Sequence, residues 1–116
     1  MLINRIRKPM MSNLVQTFAA LGDPVRFAIA ERLLRAGPTH AGALQDVAEI
    51  SAPAISRHLK VLRAAGVVTQ KVEGNRRIYA IAPDAVAQIS TWTLDHKAFW
   101  GGSLDRLARA LEEDET

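Results

Sequence analysis

The sequence predicts a mainly helical domain that carries one β-hairpin, and three observations support this fold class. Apolar residues recur at intervals of three and four over most of the chain, which is the spacing of amphipathic helices. Between residues 67 and 81 the interval shortens to two around the turn Glu73-Gly74-Asn75, which indicates paired strands. The length of 116 residues suits one hydrophobic core rather than two.

The first two predicted helices have clear start and stop signals. Ser12 is placed to cap the first helix and Gly22 to end it. At Asp23-Pro24 the second helix begins, because the carboxylate accepts from unpaired backbone N–H groups and proline at the first position has none to satisfy. Gly37-Pro38 ends it. The first helix carries an apolar stripe, and the second an apolar face that we expect to lie inwards. The stripe is Leu14, Phe18 and Leu21, and the face is Phe27, Ile29, Ala30, Leu33 and Leu34.

Two further short helices are predicted between residues 39 and 66. Thr39 is expected to cap the first, and Ser51 the second, which has Pro53 in its first turn and ends at Gly66. Because a tight turn joins them, the pair has the shape of a helix-turn-helix. The predicted inward residues are Leu44, Val47, Ala48 and Ile50 in one helix and Ile55, Leu59 and Leu62 in the other.

The hairpin and a terminal helical region complete the domain. Strands are predicted at residues 67–72 and 76–81, and a hairpin of this size must pack against the helices to be stable. Pro83-Asp84 begins the last helical region. Gly101-Gly102 either bends that region or separates two helices.

Charge is unevenly distributed along the chain. The net charge is +3, yet four of the 12 acidic residues stand among the last five residues. Residues 56–77 hold six basic residues and one acidic residue, which is typical of a phosphate-binding surface, the alternative being a solvated face. We assign residues 1–11 to a flexible basic arm, with Met11 as an alternative start, 12–111 to the folded domain and 112–116 to an acidic tail.

Several classes of function are excluded by what the sequence lacks. The chain has no cysteine, so it has no disulfide, thiolate metal site or thiol nucleophile. No apolar run reaches the roughly 20 residues of a membrane helix, so we expect a cytoplasmic protein with no membrane partner. Without a nucleophile motif or a phosphate loop, and with three histidines on three different elements, we expect no enzymatic activity and no cofactor.

The candidate binding residues lie on the helix that begins after Ser51 and on the hairpin. Small residues stand near the start of this helix and long basic ones follow on its outer face, which suits a helix entering the major groove of double-stranded DNA. His58 lies between the two faces, so it is either a phosphate contact or a packing residue. Of Arg76 and Arg77, only one is expected to reach DNA fully, because neighbouring strand residues point to opposite faces. The candidate DNA-binding residues are Ser51, Pro53, Ala54, Ser56, Arg57, His58, Lys60, Arg63, Asn75, Arg76 and Arg77.

Three runs of sequence combine into a specific pattern. They are Leu-Gly-Asp-Pro-Val-Arg at 21–26, Ile-Ser-Arg-His-Leu-Lys-Val-Leu-Arg-Ala-Ala-Gly-Val-Val at 55–68, and Glu-Gly-Asn-Arg-Arg-Ile-Tyr at 73–79. Together they resemble the ArsR/SmtB-type winged helix-turn-helix transcriptional repressors, and the resemblance covers residues 12–111. It implies a homodimer that presents two recognition helices to successive major grooves of a pseudo-palindromic operator, with half-sites about 34 Å apart. An inducer is not implied, since an autorepressor needs none.

The same resemblance implies a dimer interface built from the first and last helices. The apolar residues there exceed what one small core needs, although they could instead close the core of the monomer. The candidate interface residues are Leu14, Phe18, Leu21, Ile89, Trp92, Phe99, Trp100, Leu104 and Leu107.

Two alternatives to a metal-independent repressor stay open. Metal-sensing members of the family use cysteines in the helix before the recognition helix, where this chain has Leu-Gln-Asp-Val at 44–47. A second family site uses Asp and His of the last helix, but Asp95 and His96 are adjacent and so about 100° apart. We expect no metal site, and we expect His40 and His96 to be structural or exposed. One alternative is a metal-responsive repressor that uses ligands other than cysteine. The other is a winged-helix domain for protein contacts, which the basic helix and hairpin disfavour.

Overall fold

The computed structural model describes residues 13–95 and 97–115, including their side chains except those of 97–99 and 115. The expected arm at 1–11, the expected cap Ser12, His96 and the side chain of Phe99 therefore lie outside the described residues. The described chain falls into two compact units, one ending at Val86 and one beginning at Ala87.

Two helices open the first unit: α1 covers residues 13–21 and α2 covers Pro24–Ala36. The predicted cap at Asp23 is confirmed. Its carboxylate accepts hydrogen bonds from the backbone N–H groups of Val25 and Arg26, at 2.9 and 3.0 Å. This satisfies two donors that the first turn of a helix otherwise leaves unpaired, and it fixes where α2 begins.

The buried face of α2 is narrower than the sequence predicts. Ile29, Ala30 and Leu33 are buried as expected. Phe27 and Leu34 were also expected inside, and that expectation is wrong, because their side chains are 50% and 60% exposed. At 100° per residue they lie about 100° from the centre of the buried face, and the other elements of this unit cover only that face.

The helix-turn-helix is present, but its first helix differs from the prediction. A two-residue strand, β1 (Thr39–His40), precedes a 3-10 helix at Ala41–Val47, and α3 follows at Ala52–Ala64. Thr39 does not cap the 3-10 helix, because its hydroxyl instead donates to the carbonyl oxygen of Gly37 at 2.8 Å. The 3-10 helix starts without any side-chain cap.

Two longer strands form the hairpin, β2 at Val68–Glu73 and β3 at Arg76–Ile81. The bounds of β3 agree with the prediction, and those of β2 are shifted by one residue. Gly66, with a φ of 79°, turns the chain from α3 towards β2, a conformation that suits glycine. Gly74, with a φ of 62°, is the first residue of the two-residue loop between the strands.

The hairpin belongs to a three-stranded antiparallel sheet of order β1-β3-β2. The third strand is β1, whose Thr39 pairs with Tyr79 and His40 with Ile78. The sequence predicted only two strands. β1 lies in the segment that leads into the helix-turn-helix. Its hydrogen bonds to β3 therefore connect the hairpin to the helix-turn-helix.

A single core joins these elements within the first unit. It draws on the helices α1, α2 and α3, the 3-10 helix and the sheet. Its buried members are Ala20, Ile29, Leu33, Leu44, Ile55, Leu59, Leu62, Val67, Val68 and Tyr79.

The terminal region contains two helices, α4 at Pro83–Asp95 and α5 at Lys97–Glu115. The sequence expected a bend or a break at Gly101-Gly102, and the break does not occur, because both glycines lie inside α5. The expected acidic tail is helical at residues 112–115, where it forms the end of α5.

Candidate DNA interface

α3 has one buried face and one exposed face. Ile55, Leu59 and Leu62 recur along the buried face, and each is at most 2% exposed. They fix the rotation of the helix in the core, so Arg57 and Lys60 point away from it and are exposed. The predicted division of this helix into an apolar and a basic face is confirmed.

The start of α3 is compact and accessible. The hydroxyl of Ser51 accepts a hydrogen bond from the backbone N–H of Ala54 at 3.3 Å, which confirms the predicted cap. Pro53 stands in the first turn, where its missing N–H costs nothing. Ser51, Pro53 and Ser56 are exposed and Ala54 is half-buried, so little side-chain bulk surrounds this end of the helix.

Four basic side chains on α3 and β3 are exposed and available to a ligand. None of them forms a hydrogen bond or an ion pair with any residue that the structure describes. Their charge is therefore not neutralised within the described chain. These residues are Arg57, Lys60, Arg76 and Arg77.

Two further basic residues of the same segment already have partners. Arg63 donates to the side-chain oxygen of Gln70 on β2, which ties the end of α3 to the sheet. The Nζ of Lys71 lies 3.3 Å from Oε1 of Glu73 on the same strand. Of the predicted site residues, Arg63 thus combines exposure with a structural contact.

The hairpin tip presents the remaining predicted residues. Asn75, Arg76 and Arg77 are all exposed. Arg76 pairs in register with Glu73 across the loop, yet the carboxylate of Glu73 is 3.3 Å from Lys71. Both arginines are exposed, and the expectation that only one of them reaches DNA fully stays a prediction.

His58 is turned towards α2 rather than outwards. Its side chain is 24% exposed, and its Nδ1 lies 3.8 Å from Oδ2 of Asp23 and 3.5 Å from Nη1 of Arg26. The pKa of Asp23 is lowered, chiefly by the hydrogen bond from the backbone N–H of Arg26 and further by the Arg26 guanidinium. Asp23 is therefore a carboxylate that faces His58 at neutral pH.

The cluster of Asp23, Arg26 and His58 was missed by reasoning from the sequence. Asp23 was expected only to cap α2, and Arg26 was given no role. The cluster joins residues 32 and 35 positions apart, which hydrophobic periodicity does not relate. The one usable signal was that both runs, 21–26 and 55–68, belong to the pattern that carries the family resemblance.

The predicted interface residues divide by exposure. On α1, Phe18 is 41% exposed and Leu14 is half-buried, but Leu21 already packs against the core of the first unit. On α4, Ile89 is half-buried and Trp92 is 48% exposed. The large apolar side chains described on α5 are more than half exposed: Trp100, Leu104, Leu107 and Leu111.

Neither a metal site nor a membrane span is found in the part of the chain that the structure describes. Among the described residues no group of three or more His, Asp or Glu side chains is arranged to hold a metal ion. No described helix combines the length and the apolar character needed to cross a bilayer.

Known proteins resemble this chain in both sequence and structure. Residues 21–71 match a family model described as a helix-turn-helix domain. The HTH-type transcriptional regulator Rv2034 of Mycobacterium tuberculosis is 36% identical over 99 residues, which are 85% of this chain and 89% of that protein. The transcriptional repressor SdpR of Bacillus subtilis is 32% identical over 67% of this chain and 86% of its own length. The structure of an ArsR-like transcriptional regulator from Rhodococcus sp. RHA1 superimposes with a TM-score of 0.66 at 26% identity, covering 85% of this chain and 92% of that one.

A helix-turn-helix followed by a basic hairpin, which is the wing, defines a winged helix-turn-helix protein. The likeness to the regulators above extends over most of the chain and includes the whole of this arrangement. The chain belongs to the ArsR/SmtB-type family of transcriptional regulators, which confirms the resemblance drawn from its sequence.

Proposed function

We propose that this protein is a homodimeric transcriptional repressor that binds a pseudo-palindromic operator in double-stranded DNA. The observation that carries the proposal is the set of four basic side chains on α3 and the wing that have no partner in the described chain. Cations held on a rigid surface without neutralising partners are suited to the regularly spaced phosphates of a duplex.

In the proposed complex α3 is the recognition helix. Its narrow first turn enters the major groove, where Ser51 and Ser56 donate to phosphates or base edges. Arg57 and Lys60 follow on the exposed face, within reach of the acceptor atoms on guanine or of the backbone. Arg76 and Arg77 of the wing bind the adjacent backbone or minor groove.

Dimerisation is proposed to use the exposed apolar side chains of the terminal helices. Trp100, Leu104 and Leu107 each expose more than half of their surface, which is unfavourable in water and becomes favourable when a second protomer covers it. Trp92 of α4 adds aromatic surface, a residue class enriched at interfaces, and within the first unit Phe18 of α1 is also exposed. Two-fold symmetry would then place two recognition helices on half-sites about 34 Å apart.

Repression would follow from occupancy of a promoter, and the proposed activity is binding without a chemical reaction. The Bacillus subtilis relative that is named a repressor supports this direction of regulation. Since the described residues offer no metal-binding group, the proposal includes no metal requirement.

A footprint on the DNA upstream of the protein's own gene tests the proposal. We expect a protected site with two-fold symmetry, unchanged by added zinc or by a chelator. Arg57→Ala should weaken binding by about fivefold to 150-fold for each half-site, which corresponds to the loss of one bidentate guanine contact. Arg35→Ala, which removes an exposed arginine of α2, is the matched control and should bind as the wild type does. Protection that is absent, or equal in both variants and the wild type, would contradict the assigned interface.

A further inference from the structure

One ring nitrogen of His58 faces two groups of opposite character. Nδ1 lies 3.8 Å from a carboxylate oxygen of Asp23, which accepts hydrogen bonds, and 3.5 Å from Nη1 of Arg26, which donates them. Without a proton, Nδ1 accepts from Arg26. With a proton, it donates towards Asp23 and is repelled by the guanidinium. The partner of His58 therefore depends on whether Nδ1 carries a proton.

The two partners are held in place on α2. Asp23 accepts from two backbone N–H groups, and the Nε of Arg26 donates to the carbonyl oxygen of Ala20 at 2.6 Å. Because these partners are fixed, a change in the protonation of His58 acts on the helix that carries His58. That helix is α3, in which His58 directly follows Arg57.

The charges around His58 leave Asp23 as its acidic partner. α1 has no charged side chain between residues 13 and 21. On the 3-10 helix, Asp46 is paired with Arg32 at 3.2 Å, and on β2 Glu73 is paired with Lys71. The charged neighbours within α3 are all basic: Arg57, Lys60 and Arg63.

We propose that His58 is a positioning residue of the DNA-binding surface, and that a proton gained on its ring ties α3 to the start of α2 through Asp23 and strengthens DNA binding. This inference rests on the proposed function. The direction follows from linkage: because the protonated ring holds α3 against Asp23 in the arrangement that binds DNA, DNA binding and proton uptake promote each other. Affinity should therefore rise as the pH falls from 8 to 5.5.

The size of the effect follows from the exposure of the pair. Asp23 and His58 are about one-third and one-quarter exposed. An ion pair of this kind shifts an equilibrium by up to about fivefold, and a dimer contains two of them. We expect affinity to increase by about twofold to 25-fold between pH 8 and pH 5.5.

The experiment measures the anisotropy of a fluorescent duplex that contains the footprinted site, at fixed salt and at pH 5.5, 6.5 and 8. Wild type should show the increase, and His58→Gln and Asp23→Asn should bind equally at all three pH values. Asparagine keeps the N-cap, and aspartate itself stays ionised over this range because its pKa is lowered from 3.8. His40→Gln and Asp46→Asn are matched controls and should follow the wild type.

Asp23→Asn decides between positioning and direct contact. If His58 bound phosphate itself, its pH dependence would survive in Asp23→Asn, and the proposal would be overturned. Thermal melting verifies that the variants are folded; if Asp23→Asn is not, Asp23→Ser, which also keeps the cap oxygen, takes its place. Binding by the wild type that is independent of pH overturns this inference alone, whereas no binding at any pH overturns the proposed function as well.

Discussion

Arg76 on the wing allows the electrostatic part of DNA binding to be measured on its own. Arg76→Ala removes an exposed cation that has no partner in the described chain. Each phosphate contact contributes about 0.9 to the slope of log affinity against log salt concentration, and a dimer loses two such contacts. The slope should therefore fall by about 1.8, so that raising salt from 50 to 200 mM weakens the variant about tenfold less than the wild type.

Titration of a fluorescent duplex at four salt concentrations measures this slope. Lys71→Ala is a control on the same hairpin, and it should change the slope less because Lys71 is already paired with Glu73 at 3.3 Å. Arg35→Ala, on α2, should leave the slope unchanged. A slope for Arg76→Ala equal to that of the wild type would refute the assignment of the wing to the DNA backbone, and an equal fall in all three variants would show that net charge alone is responsible.

The remaining predictions concern assembly and stability. Leu44→Ala empties a fully buried position and should lower the free energy of unfolding by about 2–5 kcal/mol in urea denaturation; a loss below about 1 kcal/mol would mean that the core collapses around it. Replacing Trp92 and Trp100 together by glutamate should give monomers in sedimentation equilibrium, and an intact dimer would rule these residues out as its interface. Gly101→Ala should stabilise α5 by about 0.5–1 kcal/mol, since the added Cβ meets no atom within 4 Å apart from its chain neighbours and the adjacent helix backbone; a lower melting temperature would contradict this. Because folding lowers the pKa of Asp23, its contribution to stability is complete above about pH 4 and is lost as the pH falls below that, so acid unfolding of Asp23→Asn should depend less steeply on pH than that of the wild type.

Elements with strong local signals could be predicted from the sequence. Asp23-Pro24 and Ser51 carry side-chain caps that act within three residues, and both helix starts agree with the structure. β3 was predicted with its observed bounds, because strand alternation is bounded there by the loop that Gly74 makes possible. The outer face of α3 could also be predicted, since the spacing of three buried residues fixes where Arg57 points.

Features that depend on distant parts of the chain could not be predicted in this way. β1 has only two residues, too few for any periodicity, and exists because β3 pairs with it. Phe27 and Leu34 fit the helical period as well as Leu33 does, and only the placement of the neighbouring elements leaves them exposed. Gly101-Gly102 disfavours a helix by propensity, yet α5 continues through it.

The pairing of β1 with β3 has a mechanical consequence for DNA recognition. Thr39 and His40 connect the wing to the segment that enters the helix-turn-helix, while Arg63 and Gln70 connect the end of α3 to β2. The wing is thus connected to the helix-turn-helix on both sides, through β1 and through α3. In the proposed complex these connections set the distance, within a half-site, between the bases that α3 contacts and the backbone that the wing contacts. An inserted base pair there should therefore be tolerated less well than a changed base outside it.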